Sequence, residues 1–460
     1  MAANFLDRAA TIAPPEYNRF LVPPAALAVH LSIGQAYAFS TFNLPLSRLI
    51  GLSKSAPGDW TLPQLGWIFS IAILVLGMSA ALFGRWVETA GPRKAMFVAA
   101  LCFGSGFLVS ALGIAEHRIW LLYLGYGALG GCGLGIGYIS PVSTLIKWFP
   151  DRPGMATGMA IMGFGGGALI AAPLSILLMD HFKTPTSNGV GETFVVMGIV
   201  YFIYMSIGAL AVRVPSADWK PEGWIASAHP RKLVTSSQVR VDVAWTTPQF
   251  WLLWGVLCMN VTAGIGVLSQ ASPMIQEMFT GRVTPAAAAG FVGLISLFNM
   301  GGRFVWASVS DYIGRRNTYM VFFVLGMILY ALVPTTGRLG SITLFVSAFA
   351  IILSMYGGGF ATIPAYLRDM FGTMHVGAIH GRLLTAWSAA GVLGPVLVNY
   401  IRQAQIDRGV PKAQAYSVTM YIMCVLLFVG FLCNLLMHPV SERHHHVEAD
   451  AVALAAGSSK

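Results

Sequence analysis

Polar residues recur along the chain at wide, regular intervals, and the stretches between them are apolar almost all the way round. Such runs begin near Leu21, Leu62, Lys94, Ile119, Gly154, Val190, Phe250, Pro285, Tyr319, Ser341, Val376 and Tyr416. Each is close to the roughly 20 apolar residues that a helix needs to cross the hydrocarbon core of a bilayer. The pattern therefore predicts an all-α membrane protein of twelve transmembrane helices, with little chain left for a soluble domain. Most connections are short. The exception runs from Arg213 to Thr247, holds Pro215, Pro221 and Pro230 with charges of both signs, and divides the helices into two sets of six. The expected organisation is an N-terminal six-helix bundle over 1–212, a cytoplasmic linker over 213–247, a C-terminal six-helix bundle over 248–440 and a disordered cytoplasmic tail over 441–460.

The two sets are related. Sliding the sequence along itself by one fixed offset brings Glu88 onto Asp311, Gly91 onto Gly314, Arg93 onto Arg316, Pro141 onto Pro364, Gly154 onto Gly377 and Gly158 onto Gly381. These matches fall on loop and helix-packing residues, which shared hydrophobicity alone would not align, so duplication of a six-helix unit is the simplest account. Lysine and arginine are in excess on the side that holds both termini and the long central loop. By the positive-inside rule, both termini and that loop are expected in the cytoplasm.

Composition narrows the function classes. Hydrophobic residues make up 56% of the chain and charged ones 10%, the wrong balance for a soluble surface. The formal charge of +10 is spread through short loops, which argues against a nucleic-acid partner. Cys102, Cys132, Cys258, Cys424 and Cys433 lie in apolar runs without metal-ligand spacing and read as small buried hydrophobes. The first twenty residues lack the basic-then-apolar order of a secretory signal. No nucleophile, paired carboxylates or metal cluster occurs at membrane depth, so an enzyme is not expected, and neither is a cofactor, a metal or a protein partner; a monomer in the lipid bilayer is expected. His444, His445 and His446 sit in the polar tail.

Two loops carry a common pattern. One reads Gly84-Arg-Trp-Val-Glu88-Thr-Ala-Gly91-Pro-Arg93-Lys94, the other Ala307-Ser-Val-Ser-Asp311-Tyr-Ile-Gly314-Arg315-Arg316. Each combines a glycine for a tight turn, basic residues, and one carboxylate free to pair with a base or a helix N-terminus. Glu88, Arg93, Asp311, Arg315 and Arg316 are therefore candidate gating residues that hold one conformational state shut. The glycine clusters Gly131–Gly137 and Gly163–Gly167 lie inside apolar helices, without the strand a nucleotide-binding loop requires. They read as close helix packing, with Pro141 and Pro173 able to bend the helices.

The paired loops resemble the signature of the major facilitator superfamily. Further stretches narrow the resemblance: Ser32-Ile-Gly34-Gln35-Ala-Tyr37-Ala-Phe39-Ser-Thr41, Lys147-Trp148-Phe149-Pro150-Asp151-Arg152, Asn299-Met-Gly-Gly-Arg303 and Leu383-Leu-Thr-Ala-Trp387-Ser-Ala-Ala-Gly391. Together these look like the oxalate:formate antiporter family and its monocarboxylate-porter relatives. The resemblance implies two pseudo-symmetric six-helix bundles and a small carboxylate as solute. Trp387 stands about where the family's oxalate carriers place a lysine, which weakens the case for oxalate. Thr41 stands where animal monocarboxylate porters have a lysine.

All 18 acidic residues fall in loops, tails or helix ends, so the charge at depth is positive. Arg303 lies eight residues before Asp311, about 12 Å up the helix, and shares a polar stripe with Asn299 and Ser296. A charge at the centre of a membrane helix costs about 2.5–3.5 kcal/mol on insertion scales, so one retained there usually faces a cavity or a partner. Arg303 is the expected anion ligand, with Asn299, Tyr37, Thr41, Trp387, Asn260 and Gln35 as further substrate-binding candidates. Arg382 begins near the end of its helix and is expected to reach the cytoplasmic interface. His30 and His380 are candidate proton relays. The function expected is secondary active transport of small organic anions, monocarboxylates such as lactate or formate, by alternating access. The alternatives are an oxalate/formate exchanger, an exporter of hydrophobic compounds and, more distantly, a membrane sensor without transport.

Overall fold

The computed structural model describes residues 5–52, 54–216, 219–223, 233–235 and 237–446. Among the described residues, twelve helices are long and apolar enough to cross a membrane: α1 Arg19–Leu46, α2 Gln64–Ala90, α3 Pro92–Ala115, α4 Ile119–Trp148, α5 Pro153–Phe182, α6 Val190–Ala211, α7 Pro248–Leu268, α8 Gly290–Ile313, α9 Arg315–Arg338, α10 Ile342–Phe371, α11 Val376–Asp407 and α12 Lys412–Leu435. Among the described residues there is no strand beyond one isolated bridge, Ile12 to Val214. Residues 447–460 of the expected tail, with Arg231 and Lys232 of the linker, lie outside the described residues.

Local chemistry sets the helix ends, and it does so twice. Thr61 caps the start of α2 in a reciprocal box with Gln64, and Thr284 caps the helix of α8 through the Ala287 N–H. At the other ends of the same helices Gly91 and Gly314 both take φ of +88°, a left-handed turn that glycine adopts without strain, and α3 and α9 begin at once. The turns anticipated at these two positions are present.

Besides the 3-10 turns that open α1 and α12, three spans depart from regular α-helix. In α1 the stretch Gly34–Phe42 tightens to a 3-10 helix, in α4 Tyr123–Gly130 widens to a π-helix, and α11 breaks at Leu384 between Val376–Leu383 and Thr385–Asp407. Interruptions of this kind inside long helices are common at functional hinges. The breaks in α1 and α11 fall beside Tyr37 and Trp387.

The architecture is that of two pseudo-symmetric six-helix bundles, joined by α2 against α11 and α5 against α8. These seams are tight at one end. A Cβ on Gly84 would stand 2.9 Å from Ala378 Cα, and one on Gly158 3.0 Å from the Arg303 carbonyl. Toward the other end of the same helices, about five turns from Gly84 on α2 and nearly three from Arg303 on α8, the seams part. Gly66 on α2 and Gly293 on α8 have no described atom within 4 Å of a Cβ position. The molecule is thus closed at the end bearing Glu88 and Asp311, called here the latched face, and open at the other.

Candidate functional site

The latched face is closed by two carboxylates in matching positions. Asp311 at the end of α8 accepts the Gly154 and Met155 N–H groups at the start of α5, both at 2.9 Å. Glu88 at the end of α2 accepts the Gly377 N–H at the start of α11, at 3.0 Å. The offset that pairs Glu88 with Asp311 also pairs Gly154 with Gly377, so each half lends a carboxylate to a helix N-terminus of the other. Unsatisfied amides and the helix dipole make that end favourable for negative charge.

Bases in the same half hold each carboxylate in place. Lys147 meets Glu88 at 2.6 Å, and Arg315 meets Asp311 at 2.5 Å while its Nε reaches Asp369 at 3.2 Å. Arg368 pairs with Asp369 at 3.2 Å and donates across the seam to the Pro150 carbonyl at 3.4 Å. Two of the expected gating residues work elsewhere. Arg93 donates to the Phe5 carbonyl and stacks over its ring, and Arg316 donates to the Leu435 carbonyl, so both tie segments within one half. Lys147, Arg368 and Asp369 take part instead.

Further in, still within the tight part of the seam, lies Arg303. Its side chain is fully buried. Among the described residues the guanidinium makes only long bonds, to Asn299 Oδ1 at 3.4 Å and the Ile161 carbonyl at 3.5 Å, and Nη2 has none. It lies over the rings of Phe164 and Phe360 at 5.6 and 5.2 Å, and its charge reaches the hydroxyls of Tyr37 and Tyr138. No carboxylate pairs with it among the described residues.

Aromatic rings from both halves close in around this charge. Trp387 on α11 packs against Tyr138, Phe164 and Phe360 with centroids 5.3, 5.4 and 4.5 Å apart. Above them the Tyr37 and Tyr356 hydroxyls meet at 3.3 Å across the two halves. Such walls exclude water and raise the strength of any ion contact inside.

Of the substrate-binding candidates, Arg303, Asn299, Tyr37 and Trp387 come together. Asn260 is buried near the same level, its amide beside Gly359. Gln35 instead accepts the Tyr126 hydroxyl at 2.9 Å within the N-terminal half, and the Thr41 hydroxyl donates to the Ala38 carbonyl. Tyr138, Phe164, Tyr356 and Phe360 were missed by the sequence reading, because aromatic residues in apolar helices carry no signal of which face they take. Arg382 points away from the cage, donating to the Val241 carbonyl at 2.8 Å and stacking over Trp245. His30 and His380 lie on the latched side of the cage, against Tyr138.

The family model of the Major Facilitator Superfamily matches residues 19–395 and again 303–458. The oxalate:formate antiporter of Oxalobacter formigenes is 27% identical over 82% of this chain and 82% of its own length. Human monocarboxylate transporter 11 is 24% identical over 81% of this chain and 76% of its own. Among solved structures, FucP in the outward conformation superposes with a TM-score of 0.62 at 13% identity, covering 89% of this chain and 97% of that one. At that identity the likeness speaks for the fold alone.

Proposed function

We propose, from the premise that the chain belongs to the Major Facilitator Superfamily, that it is a secondary transporter of small monocarboxylates such as lactate or formate. The observation that carries this reading is Arg303, a fully buried guanidinium with weak bonds and no acidic partner among the described residues. Burying an unpaired charge costs several kcal/mol, and a carboxylate arriving from water repays it through two parallel charge-assisted bonds. The relatives named for oxalate, formate and monocarboxylates agree in solute class. A single arginine opposite an indole wall suits one carboxylate better than two, which places oxalate second.

In this reading the latched face is cytoplasmic, the open face admits solute from outside, and the halves rock about the cage. Glu88, Asp311, Arg315 and their partners steady the outward-open state without touching solute. Cysteines at Lys220 and Arg408 should label from opposite sides of intact cells. The functional test is uptake by proteoliposomes of labelled lactate, formate and oxalate beside a lipophilic dye. Saturable uptake of lactate or formate, blocked by the other acid, is expected. Uptake of the dye with none of any carboxylate would defeat the reading.

A further inference from the structure

We propose that the latched end of the seam between α2 and α11 carries a regulatory site for a nucleoside triphosphate, whose occupation holds the latch shut. This rests on the latched face being cytoplasmic, and not on which solute the cage takes. A cavity of about 910 Å³ opens there, beside the bond from the Gly377 N–H to Glu88, and none of its lining residues belongs to the cage. The N-terminal half supplies Arg8, Arg85 and Lys147 to its wall, the linker Trp219 and Lys220, and the C-terminal half His375, just before α11.

Charge sets what can enter. The only carboxylate in the described wall is Glu88, and it belongs to Lys147 at 2.6 Å. Arg85 has only Asp242, at 3.6 Å, and Arg240 and Arg382 share that carboxylate at 3.6 and 3.5 Å. Arg8 donates to the Glu88 main-chain carbonyl at 3.4 Å, and neither Arg8 nor Lys220 forms an ion pair among the described residues. The other seam shows that a closed latch does not need such an excess. There Arg315 and Arg368 meet Asp311 and Asp369, base for acid, and Gly154 stands too close to the Ala307 carbonyl to leave room for a Cβ.

A cleft lined by one sign of charge concentrates the other, and three bases without a carboxylate of their own suit an anion of about three charges better than a single carboxylate. The wall also has a ring. Trp219 is half-buried and stands edge-on to the buried Trp148, with centroids 4.7 Å apart. A planar base can lie against the indole while phosphate oxygens take charge-assisted bonds from arginine and lysine. The volume lies within the roughly 300–1,000 Å³ of small-molecule sites. The sign of the effect follows from the seam. Arg85 stands on α2 and His375 borders α11, so parting these helices at the latch pulls the two walls of the cavity apart. A ligand that needs both walls binds the closed latch alone and stabilises it, slowing the carrier without touching the cage.

The test uses the full-length chain, purified and cysteine-free apart from Ala80→Cys. Alkylation there reports opening of the seam, because Ala80 is fully buried against Gly381. Equilibrium dialysis with labelled ATP gives the affinity, and ATP at about ten times its Kd is expected to slow alkylation about tenfold. Arg85→Gln combined with Lys220→Gln is expected to weaken ATP binding by at least about tenfold while alkylation without ATP keeps its rate, the exposed Arg85 pair adding little. Trp219→Leu is expected to erase the preference for ATP over tripolyphosphate. Absence of ATP binding, binding that leaves alkylation unchanged or faster, or equal binding by the double variant would overturn the proposal. So would slowing by phosphatidylglycerol vesicles and not by ATP, which would give the bases to a lipid headgroup. Labelling at Lys220 and uptake of the labelled acids test the orientation and the carrier reading separately.

Discussion

Neutralising Asp311 should loosen the latch by an amount the structure lets one work out. The Arg315 pair lies within α8 and α9 of one half and persists in either state, so only the two bonds to Gly154 and Met155 break on opening. Hydrogen bonds to a charged group contribute about 1.5–3 kcal/mol each, and the amide oxygen of Asp311→Asn keeps one at the neutral value of about 1 kcal/mol. Taking the lower end for each, because the carboxylate retains Arg315, the closed latch loses about 2 kcal/mol, or roughly 30-fold in the conformational equilibrium. Glu88 gives one amide bond across the seam, and a glutamine oxygen keeps it at the neutral value, so Glu88→Gln should lose about 0.5 kcal/mol and shift the same equilibrium by only about twofold. The assay is alkylation of a cysteine placed at Ala80, fully buried where Gly381 of α11 meets α2, in an otherwise cysteine-free chain. Its rate should rise in the order parent, Glu88→Gln, Asp311→Asn, while substrate affinity measured on the closed-latch state holds. An Asp311→Asn protein that alkylates no faster than its parent, or slower than Glu88→Gln, would refute the reasoning.

Arg303→Gln should weaken lactate binding by at least about 30-fold, the low end of the roughly 2–5 kcal/mol seen when one member of a buried charge pair is removed, and Arg303→Lys should leave a weaker, less selective carrier; titration calorimetry on folded protein checks both. Trp387→Lys should raise oxalate uptake relative to lactate by adding a second positive group to the cage, and an unchanged ratio in proteoliposomes would count against this. Burial lowers the proton affinity of His375, opposed by Glu88 and Asp242 and aided by Arg85 and Arg240, and its Nδ1 accepts the Val241 N–H at 3.3 Å. A histidine held neutral in the fold costs stability as pH falls through the ordinary imidazole value of about 6.5. Trypsin cleavage at Arg240, relative to cleavage of an unstructured reference peptide at the same pH, should therefore be faster at pH 5.5 than at 7.5, with the difference reduced in His375→Asn.

Much of this was legible in the chain because lipid leaves few options. A backbone crossing hydrocarbon must satisfy its own polar groups, so twenty apolar residues can only be a helix, and the twelve runs became twelve spans. Arg303 stood out for the same reason, as a charge where charges are costly. The carboxylates of the paired loops were found because a glycine turn and a helix start leave a recognisable local signature. Contacts made across helices left none. Nothing in the sequence tells Arg93 to meet Phe5 rather than a carboxylate, or Lys147 to reach Glu88. Gln35 and Tyr37 are two residues apart, yet the 3-10 stretch of α1 sends one to Tyr126 in its own half and the other to Tyr356 across the cage. A reading at 3.6 residues per turn cannot supply that rotation.

The latch and the site share helices, which bears on how one could control the other. Asp311 and Arg303 lie about two turns apart on α8, and both face α5: Asp311 binds its first amides, while Arg303 reaches the Ile161 carbonyl and lies over Phe164 further along. A Cβ on Gly165 would stand 3.0 Å from Arg303 Nε, so the guanidinium rests against the backbone of α5. The same holds for α2 and α11, where Glu88 meets Gly377 and Ser388 donates to the Ile73 carbonyl at 3.1 Å, one residue beyond Trp387. Parting either seam at the latch must therefore move a wall of the cage. The charge of the cage comes from the C-terminal half alone, as Arg303, whereas the N-terminal half offers Tyr37, Tyr138 and Phe164. An anion bound to Arg303, as proposed above, would stay with one half while the hydroxyls and rings of the other change places around it. It can bias the rocking only through the difference those neutral contacts make between the two states.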